Sequence, residues 1–271
     1  MTNRLLFVSL GLVGVLALTA CGQKSNVSTP PPRTTTAASV SPTPSVSPTP
    51  SASPSRVVPP QTSQYGGQPL SGGGKAPLRT VGGKRVALTI DDGPDPTWTP
   101  RYLRLLAKLR IKAVFCLIGE NVRRYPGLVK QIVAGGHTLC NHTMHHDLKI
   151  GRRSSSTMHT DLTGTTAVIM RASGGVRPVF FRAPGGNWTS RLLAEARRDG
   201  MTPLDWSVDP RDWSRPGVGH ITSVIKNAKP GSIILCHDGG GNRSQTYAAL
   251  QKALPALKSR RLAFVIPTPE K

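Results

Sequence analysis

KRVALTIDDGPD, residues 84–95, is the stretch from which the rest of the chain can be read. Val86, Leu88 and Ile90 alternate with Ala87 and Thr89 in a short, largely apolar run, the pattern of a buried strand. Two carboxylates arrive together at its C-terminal end, and Gly93-Pro94 stops it. Adjacent side chains at a strand end point in different directions, so Asp91 and Asp92 can do different jobs within one small site. Side by side, two acids repel; a bound divalent ion or an arginine nearby favours the charged form of each. Asp-Asp-Gly-Pro is also the composition of a plain turn, so the stretch needs support from elsewhere in the chain.

That support begins downstream. Apolar runs recur at residues 112–118, 137–140, 178–182, 201–206, 232–236 and 263–266. Between them, segments of helical spacing cover residues 98–110, 121–134, 154–172, 190–198, 218–227 and 244–259, with Asp95 or Thr97 available to cap the first. Strands alternating with helices argue for parallel βαβ units, and about seven such units fit a small or incomplete α/β barrel. In that architecture chemistry sits at the C-terminal strand ends. Polar clusters fall there repeatedly: Asp91-Asp92, Asn141-His142, Arg182, the stretch from Asp209 to Trp213, and His237-Asp238.

NHTMHH, residues 141–146, places His142 and His146 four apart. On a helical turn that spacing puts two imidazoles on one face, able to share a metal, and Asp92 would complete a two-histidine, one-carboxylate set with open positions. His145 lies three from His142, so spacing alone leaves the pair ambiguous. A solvated His-rich loop is the competing reading.

The N-terminal part gives the address. Arg4 precedes an apolar run from Leu5 to Leu18, short for a membrane span, followed by Thr19-Ala20-Cys21. This resembles a bacterial lipoprotein signal, which implies removal of residues 1–20, acylation of Cys21 and anchoring to the outer face of the plasma membrane. An ordinary secretory signal with an incidental cysteine is the alternative. Residues 21–83 turn to Ser, Thr, Pro and Gly and cannot bury a core. They read as a tether whose reach lies between roughly 45 Å as a coil and roughly 180 Å extended. Residues 84–271 are left as one domain.

The formal net charge of +22 points to an anionic partner. The basic residues are scattered and no nucleic-acid-binding signature accompanies them, so nucleic acid is not the expected partner. Anionic envelope polymers or lipid headgroups fit an exported protein better. Beyond Cys21 there remain Cys116, Cys140 and Cys236, all in predicted buried strands, where a cysteine reads as a small hydrophobe rather than half of a bridge, although export permits one disulfide among them.

Taken together, Thr89 to Pro94 (TIDDGP), His142 to His146 (HTMHH), Arg182 to Gly186 (RAPGG), Asp209 to Trp213 (DPRDW) and Leu235-Cys236-His237 resemble the spaced motifs of the polysaccharide deacetylases, the NodB-homology group or carbohydrate esterase family four. The resemblance runs in order through nearly all of residues 84–271. It implies a distorted (β/α)7 barrel and a metal-dependent hydrolase that removes acetyl groups from sugars. By position, it makes Asp91 the catalytic base, and Asp92, His142 and His146 the ligands of one divalent metal. Zinc suits that ligand set, with cobalt or nickel able to occupy it. His237 becomes the general acid, Arg182 orients Asp91, and Asp209 supports His237 as imidazolium. Trp213 and Leu235 wall the acetyl pocket, and the Gly185 backbone N–H helps hold an oxyanion. Asn141 has a counterpart in the family without a definite role.

Ile90, Met144, Ala183 and Gly185 depart from the commonest family wording; Ile90 bears on packing only and the other three on the shape of the substrate groove, and none is a ligand or an acid-base group. The substrate expected is an acetylated glycan of the cell's own envelope, foremost peptidoglycan N-acetylglucosamine. Chitooligosaccharide and acetylxylan are the alternatives, since the motifs do not separate them. A non-catalytic glycan-binding lipoprotein would be expected to lack a ligand or Asp91, and here each is present. His137, His159 and His220 read as structural or surface histidines, because no carboxylate stands at ligand spacing from them in the sequence. Trp188 and Trp206 could stack on sugar, though Trp206 reads equally as core.

Overall fold

β1 (Arg85–Asp91) runs through the middle of a curled parallel sheet in the computed structural model, which describes residues 76–269. The leader, Cys21 and residues 22–75 lie outside the described residues. From β1 the sheet continues through β2 (Val114–Leu117), β3 (Thr138–Asn141), β4 (Phe180–Phe181) and β5 (Thr202–Pro203) on one side, with β6 (Ile233–His237) on the other. β7 (Ala263–Phe264) pairs with Arg85 and Val86 at the start of β1. Isolated bridges from Leu78 to Leu204, Thr80 to Ser232 and Val208 to Ile234 draw the β5 side toward β6, so the sheet curls into the distorted barrel that the alternating pattern predicts.

The period of two in β1 decides what faces where. Val86, Leu88 and Ile90 pack outward under the helices, in a cluster with Tyr102, Phe115 and Leu117. Ala87 faces the barrel interior with Val114, Phe180, Leu204 and Ile233. Thr89 and Asp91 continue that inner face upward, which sets both beneath the catalytic end.

The helices follow the predicted spacing. Asp95 orders the turn that leads into α1 (Thr99–Leu109), its Oδ1 accepting from the backbone N–H groups of Thr97 and Trp98 at 2.8 Å each, while the helix itself starts without a side-chain cap. The segment read as one helix over residues 121–134 is two, α2 (Gly119–Arg124) and α3 (Pro126–Ala134). Pro126 lacks an N–H and disfavours a helical Tyr125, so the helix breaks there and restarts with proline in its first turn. Ser154 and Thr189 cap α4 (Ser155–Ser173) and α5 (Ser190–Arg198) through side-chain oxygens. α6 (Val218–Lys226) and α7 (Ser244–Ser259) complete the layer. Among the described residues no helix is long and apolar enough to cross a membrane.

Two expectations change. Residues 78–81, read as the end of the tether, belong to the fold: Leu78 N–H donates to Pro203 O, and Val81 N–H donates to Gly231 O, each at 2.8 Å. Leu78 and Val81 also pack on the interior cluster, and two apolar residues in a Gly-rich stretch give little sign of this in the sequence. Cys116 and Cys140 are joined in a disulfide rather than buried as separate thiols, while Cys236 is free and buried. Parallel pairing of β2 with β3 puts the two cysteines directly opposite, Cα atoms 4.2 Å apart, and no feature of the sequence reveals that register.

Candidate active site

Asp91 and Asp92 part company at the end of β1. Asp91 is still in the strand, buried on its inner face. Arg182, wholly buried at the end of β4, donates from Nη1 to Asp91 Oδ1 at 2.7 Å and to Thr89 Oγ1 at 2.8 Å, two residues apart on the same face. Its other nitrogens donate to the carbonyls of Leu204 at 3.1 Å and Asp205 at 3.0 Å. The guanidinium is thus clamped in one pose, with the Trp206 ring centroid 5.5 Å from it. A charge-assisted pair held this way fixes the direction of the carboxylate.

Asp92 leaves the strand in the left-handed conformation, φ 73°, as do Thr143 at 63° and His146 at 56°. Non-glycine residues there cost on the order of 1–3 kcal/mol each and persist where the surroundings hold them. Asn121 Nδ2 donates to Asp92 O at 2.8 Å, and Asn141 Oδ1 accepts from Thr143 N–H at 3.0 Å. Asn141 Nδ2 is itself tied to Leu162 O and Thr166 Oγ1, so Asn141 shapes the histidine loop from below. That loop is irregular rather than the helical turn the four-residue spacing suggests, and its left-handed residues bring the two rings together. Gly239 packs against the Asp92 backbone so closely that a Cβ there would lie 2.1 Å from Asp92 O.

The result is a cluster of Asp92, His142 and His146 with ligand atoms within 4.8 Å of one another. His142 Nε2 and His146 Nε2 each lie 3.5 Å from Asp92 Oδ1, too far for a good hydrogen bond, and that oxygen is buried without a hydrogen-bond partner. Two bonds of 2.0–2.1 Å meeting at a tetrahedral angle span about 3.3 Å, so the orphan oxygen and its two nitrogens have the spacing of ligands to one ion. His142 Nδ1 lies 2.8 Å from Arg182 O, which can only accept, so Nδ1 carries a proton and Nε2 is the nitrogen that faces Asp92 and is left for a metal. The residues present therefore fit a divalent metal. Burial works to raise the Asp92 carboxyl, but the His142 ring beside it and the charges of His237, His142 and His146 hold it well below the usual carboxylate range. Burial pushes the His146 imidazole down, and the neighbouring His142 adds to that. His145 turns away, its Nδ1 3.2 Å from Glu120 Oε2 in solvent, which separates it from His146.

His237 ends β6 directly opposite Asp91. The carboxylate that holds it is Asp212 and not Asp209: Asp212 Oδ1 accepts from the ring Nδ1 at 2.7 Å, and Oδ2 accepts from the His237 backbone N–H at 2.9 Å. Asp209 instead accepts from Arg211 N–H at 2.7 Å, an Asx turn that reverses the chain and drops Asp212 onto β6. Burial works against charge on His237, but Asp212 outweighs it and raises the imidazole to about 9. The sequence carried this in the two acids of DPRDW; only the turn shows which one reaches the ring.

A cleft of about 520 Å³ opens over these groups, with Leu235, Trp213, Gly185 and Asp209 among its walls. Trp213 is half exposed, Arg211 lies over its ring, and Gly185 sits at φ +63°. Trp206 and Arg243 line the cleft as well, and Arg243 stands in none of the sequence motifs that point to it. Asp238, beneath the site, is buried and accepts from Thr99 Oγ1; burial raises its carboxyl to about 7. His137 is structural: its Nδ1 accepts from Ala113 N–H, and burial lowers the ring to about 4.

Comparison with known proteins gives a consistent result. The polysaccharide deacetylase family model matches residues 79–204. A peptidoglycan-N-acetylglucosamine deacetylase of Bacillus cereus is 44% identical over 185 residues, covering 67% of this chain and 85% of its own length. A chitooligosaccharide deacetylase of a Bradyrhizobium species is 39% identical over 191 residues, covering 66% and 87%. Among solved structures, a peptidoglycan N-acetylglucosamine deacetylase in complex with 4-naphthalen-1-yl-N-oxidanyl-benzamide matches with a TM-score of 0.67 at 32% identity, covering 71% of this chain and 94% of that one.

Proposed function

The chain belongs to the polysaccharide deacetylase family, and on that footing we propose that it is a metal-dependent hydrolase removing N-acetyl groups from envelope glycan, foremost from peptidoglycan N-acetylglucosamine. The observation that carries this reading is the meeting, in one cleft, of the Asp92, His142 and His146 cluster with an arginine-held Asp91 and an aspartate-held His237.

A divalent ion, when bound by Asp92, His142 and His146, supplies Lewis acidity toward water and toward the amide carbonyl. Zinc suits two imidazoles and a carboxylate, with cobalt and nickel as substitutes. The rest falls to the chain's own side chains. Asp91, its Oδ1 held by Arg182, keeps Oδ2 on the cleft side, 3.6 Å from His142 Nε2, and takes the proton of the attacking water. The water oxygen joins the acetyl carbon, and the Gly185 N–H contributes to holding the charge on the carbonyl oxygen. His237 is charged at neutral pH, and because Nδ1 is committed to Asp212, Nε2 is the atom that gives its proton to the sugar nitrogen as the C–N bond breaks. Acetate and a free amine leave. Leu235 and Trp213 confine the acetyl methyl.

Substrate choice rests on the relatives. The 44% identity to a peptidoglycan deacetylase favours that glycan, and the chitooligosaccharide deacetylases support a second reading on shorter N-acetylated oligomers. Acetate release from peptidoglycan, chitin oligomers and acetylxylan ranks the three, and release from acetylxylan alone would count against the N-deacetylase reading. The lipobox-like Thr19-Ala20-Cys21 supports anchoring at Cys21 on the outer face of the plasma membrane, with residues 22–77 as tether. Cys21→Ser should release the protein or leave its precursor uncleaved; unmodified protein cut elsewhere contradicts anchoring. The charge of +22 supports contact with anionic envelope polymers, which would weaken with salt.

A further inference from the structure

His159 on α4 was read as a surface histidine for want of a carboxylate at ligand spacing in the sequence. The carboxylates come from another helix. Glu195 on α5 and Asp199 at its C-terminal end are four apart, hence on one face, and His159 Nδ1 lies 3.0 Å from Glu195 Oε1 and 3.2 Å from Asp199 Oδ1. Glu195 is 4% exposed and Asp199 9%, while the His159 side chain is half in solvent. None of the three lines the catalytic cleft.

Two buried acids on one helix face repel, and a single ring nitrogen carries at most one proton to share between them. Asp199 Oδ2 is buried with no hydrogen-bond partner. Arg198, from a side chain that is mostly exposed, pairs with the same Glu195 Oε1 that faces His159, so a cation would have to share or displace it, and Arg177 donates to the Asp199 backbone carbonyl rather than to its carboxylate. Burial raises the Asp199 carboxyl, a sign that the local cations do not fully offset its desolvation. A chain with 13 acidic residues against 35 basic ones has buried two of the acids together here. We propose that His159, Glu195 and Asp199 form a second divalent-cation site, of the zinc type, outside the catalytic cleft. His159 Nδ1 is within hydrogen-bond distance of Glu195 Oε1, at 3.0 Å, and of Asp199 Oδ1, at 3.2 Å, so the cation would take the place of the shared proton; the separations are close to the roughly 3.3 Å that two zinc bonds span at a tetrahedral angle, and the exposed side of His159 leaves the remaining position to water. The site pins α4 to α5, and its loss is read in metal content and thermal stability.

The full chain, stripped of metal and dialysed against zinc, should retain two equivalents by mass spectrometry. His159→Ala, a change at a half-exposed position, should retain one, and so should the double variant His142→Ala/His146→Ala. Zinc should raise the Tm of that double variant, and adding His159→Ala should abolish the rise. A wild-type zinc content that His159→Ala leaves unchanged, whether one equivalent or two, or the same zinc-induced Tm shift with and without His159 would overturn the proposal. None of these readouts depends on deacetylase activity, so the second site stands or falls apart from the catalytic one.

Discussion

Asp212 holds His237 at two points, its Oδ1 on the imidazole Nδ1 at 2.7 Å and its Oδ2 on the backbone N–H at 2.9 Å. The bidentate grip fixes the ring's orientation and its tautomer at once, leaving Nε2 as the proton-bearing atom for the cleft. It also ties the Asp212–Ser214 turn to the end of β6, so the wall that carries Trp213 and the acid beneath it move as one piece.

Replacing Asp212 with Asn should therefore lower the His237 pKa from about 9 toward the ordinary value near 6.5, whereas Asp209→Asn should leave it in place. The same pair makes stability depend on pH. Because the folded value lies above the unfolded one, the stabilisation is complete below about pH 6.5 and is lost as pH rises through about 9, an effect on the order of 3 kcal/mol at most. NMR titration of the His237 ring in wild type and both variants, with denaturant melts at pH 6 and pH 9.5, checks both parts. A drop caused by Asp209→Asn and not by Asp212→Asn contradicts the assignment.

Arg182→Met leaves the buried Asp91 without its counter-charge and frees the carbonyls of Leu204 and Asp205. Breaking a buried pair by removing one partner costs about 3–5 kcal/mol, so the variant should lose that much stability in urea melts. Arg182→Lys should rescue it only in part, since a point charge cannot make the Nε, Nη1 and Nη2 contacts together. Full stability in Arg182→Met would mean that the guanidinium is not the tie described here.

Cys116→Ala/Cys140→Ala should lower stability by about 2–4 kcal/mol, because the bridge closes a loop across 24 residues in the unfolded chain. Cys236→Ala removes a buried thiol that bridges to nothing and should cost less. Calorimetry of the two variants decides it, and equal small losses would contradict a bridge.

How much of this was legible beforehand follows from the range of each signal. The alternation in residues 84–95 and the repeated apolar runs are local, so β1 and the succession of strands and helices could be read directly, whereas the pairing of β6 along β1, with β7 only at its start, could not. Asp91, Asp92, His142 and Arg182 were legible because they punctuate strand ends, while His146 was separated from His145 only by the family resemblance. What escaped depends on pairing across space. Cys116 meets Cys140 through the β2–β3 register, Glu195 and Asp199 meet His159 through the packing of α5 on α4, and Leu78 joins the sheet through the Pro203 backbone. Asp209 and Asp212 were indistinguishable by composition, and one Asx turn separated them.

The most direct test of the account is the division of labour between the neighbouring acids of the opening stretch. Metal content and acetate release from peptidoglycan are measured together for wild type, Asp91→Asn and Asp92→Asn. The account predicts that Asp91→Asn keeps its active-site metal while losing about 10² to 10⁴ in rate, the usual share of a general base. Asp92→Asn should fail earlier, at metal binding, because it removes the anionic ligand whose Oδ1 faces both histidines. Chelation should silence the wild type. Equal metal loss in the two variants, or acetate release undiminished by chelator, would contradict it.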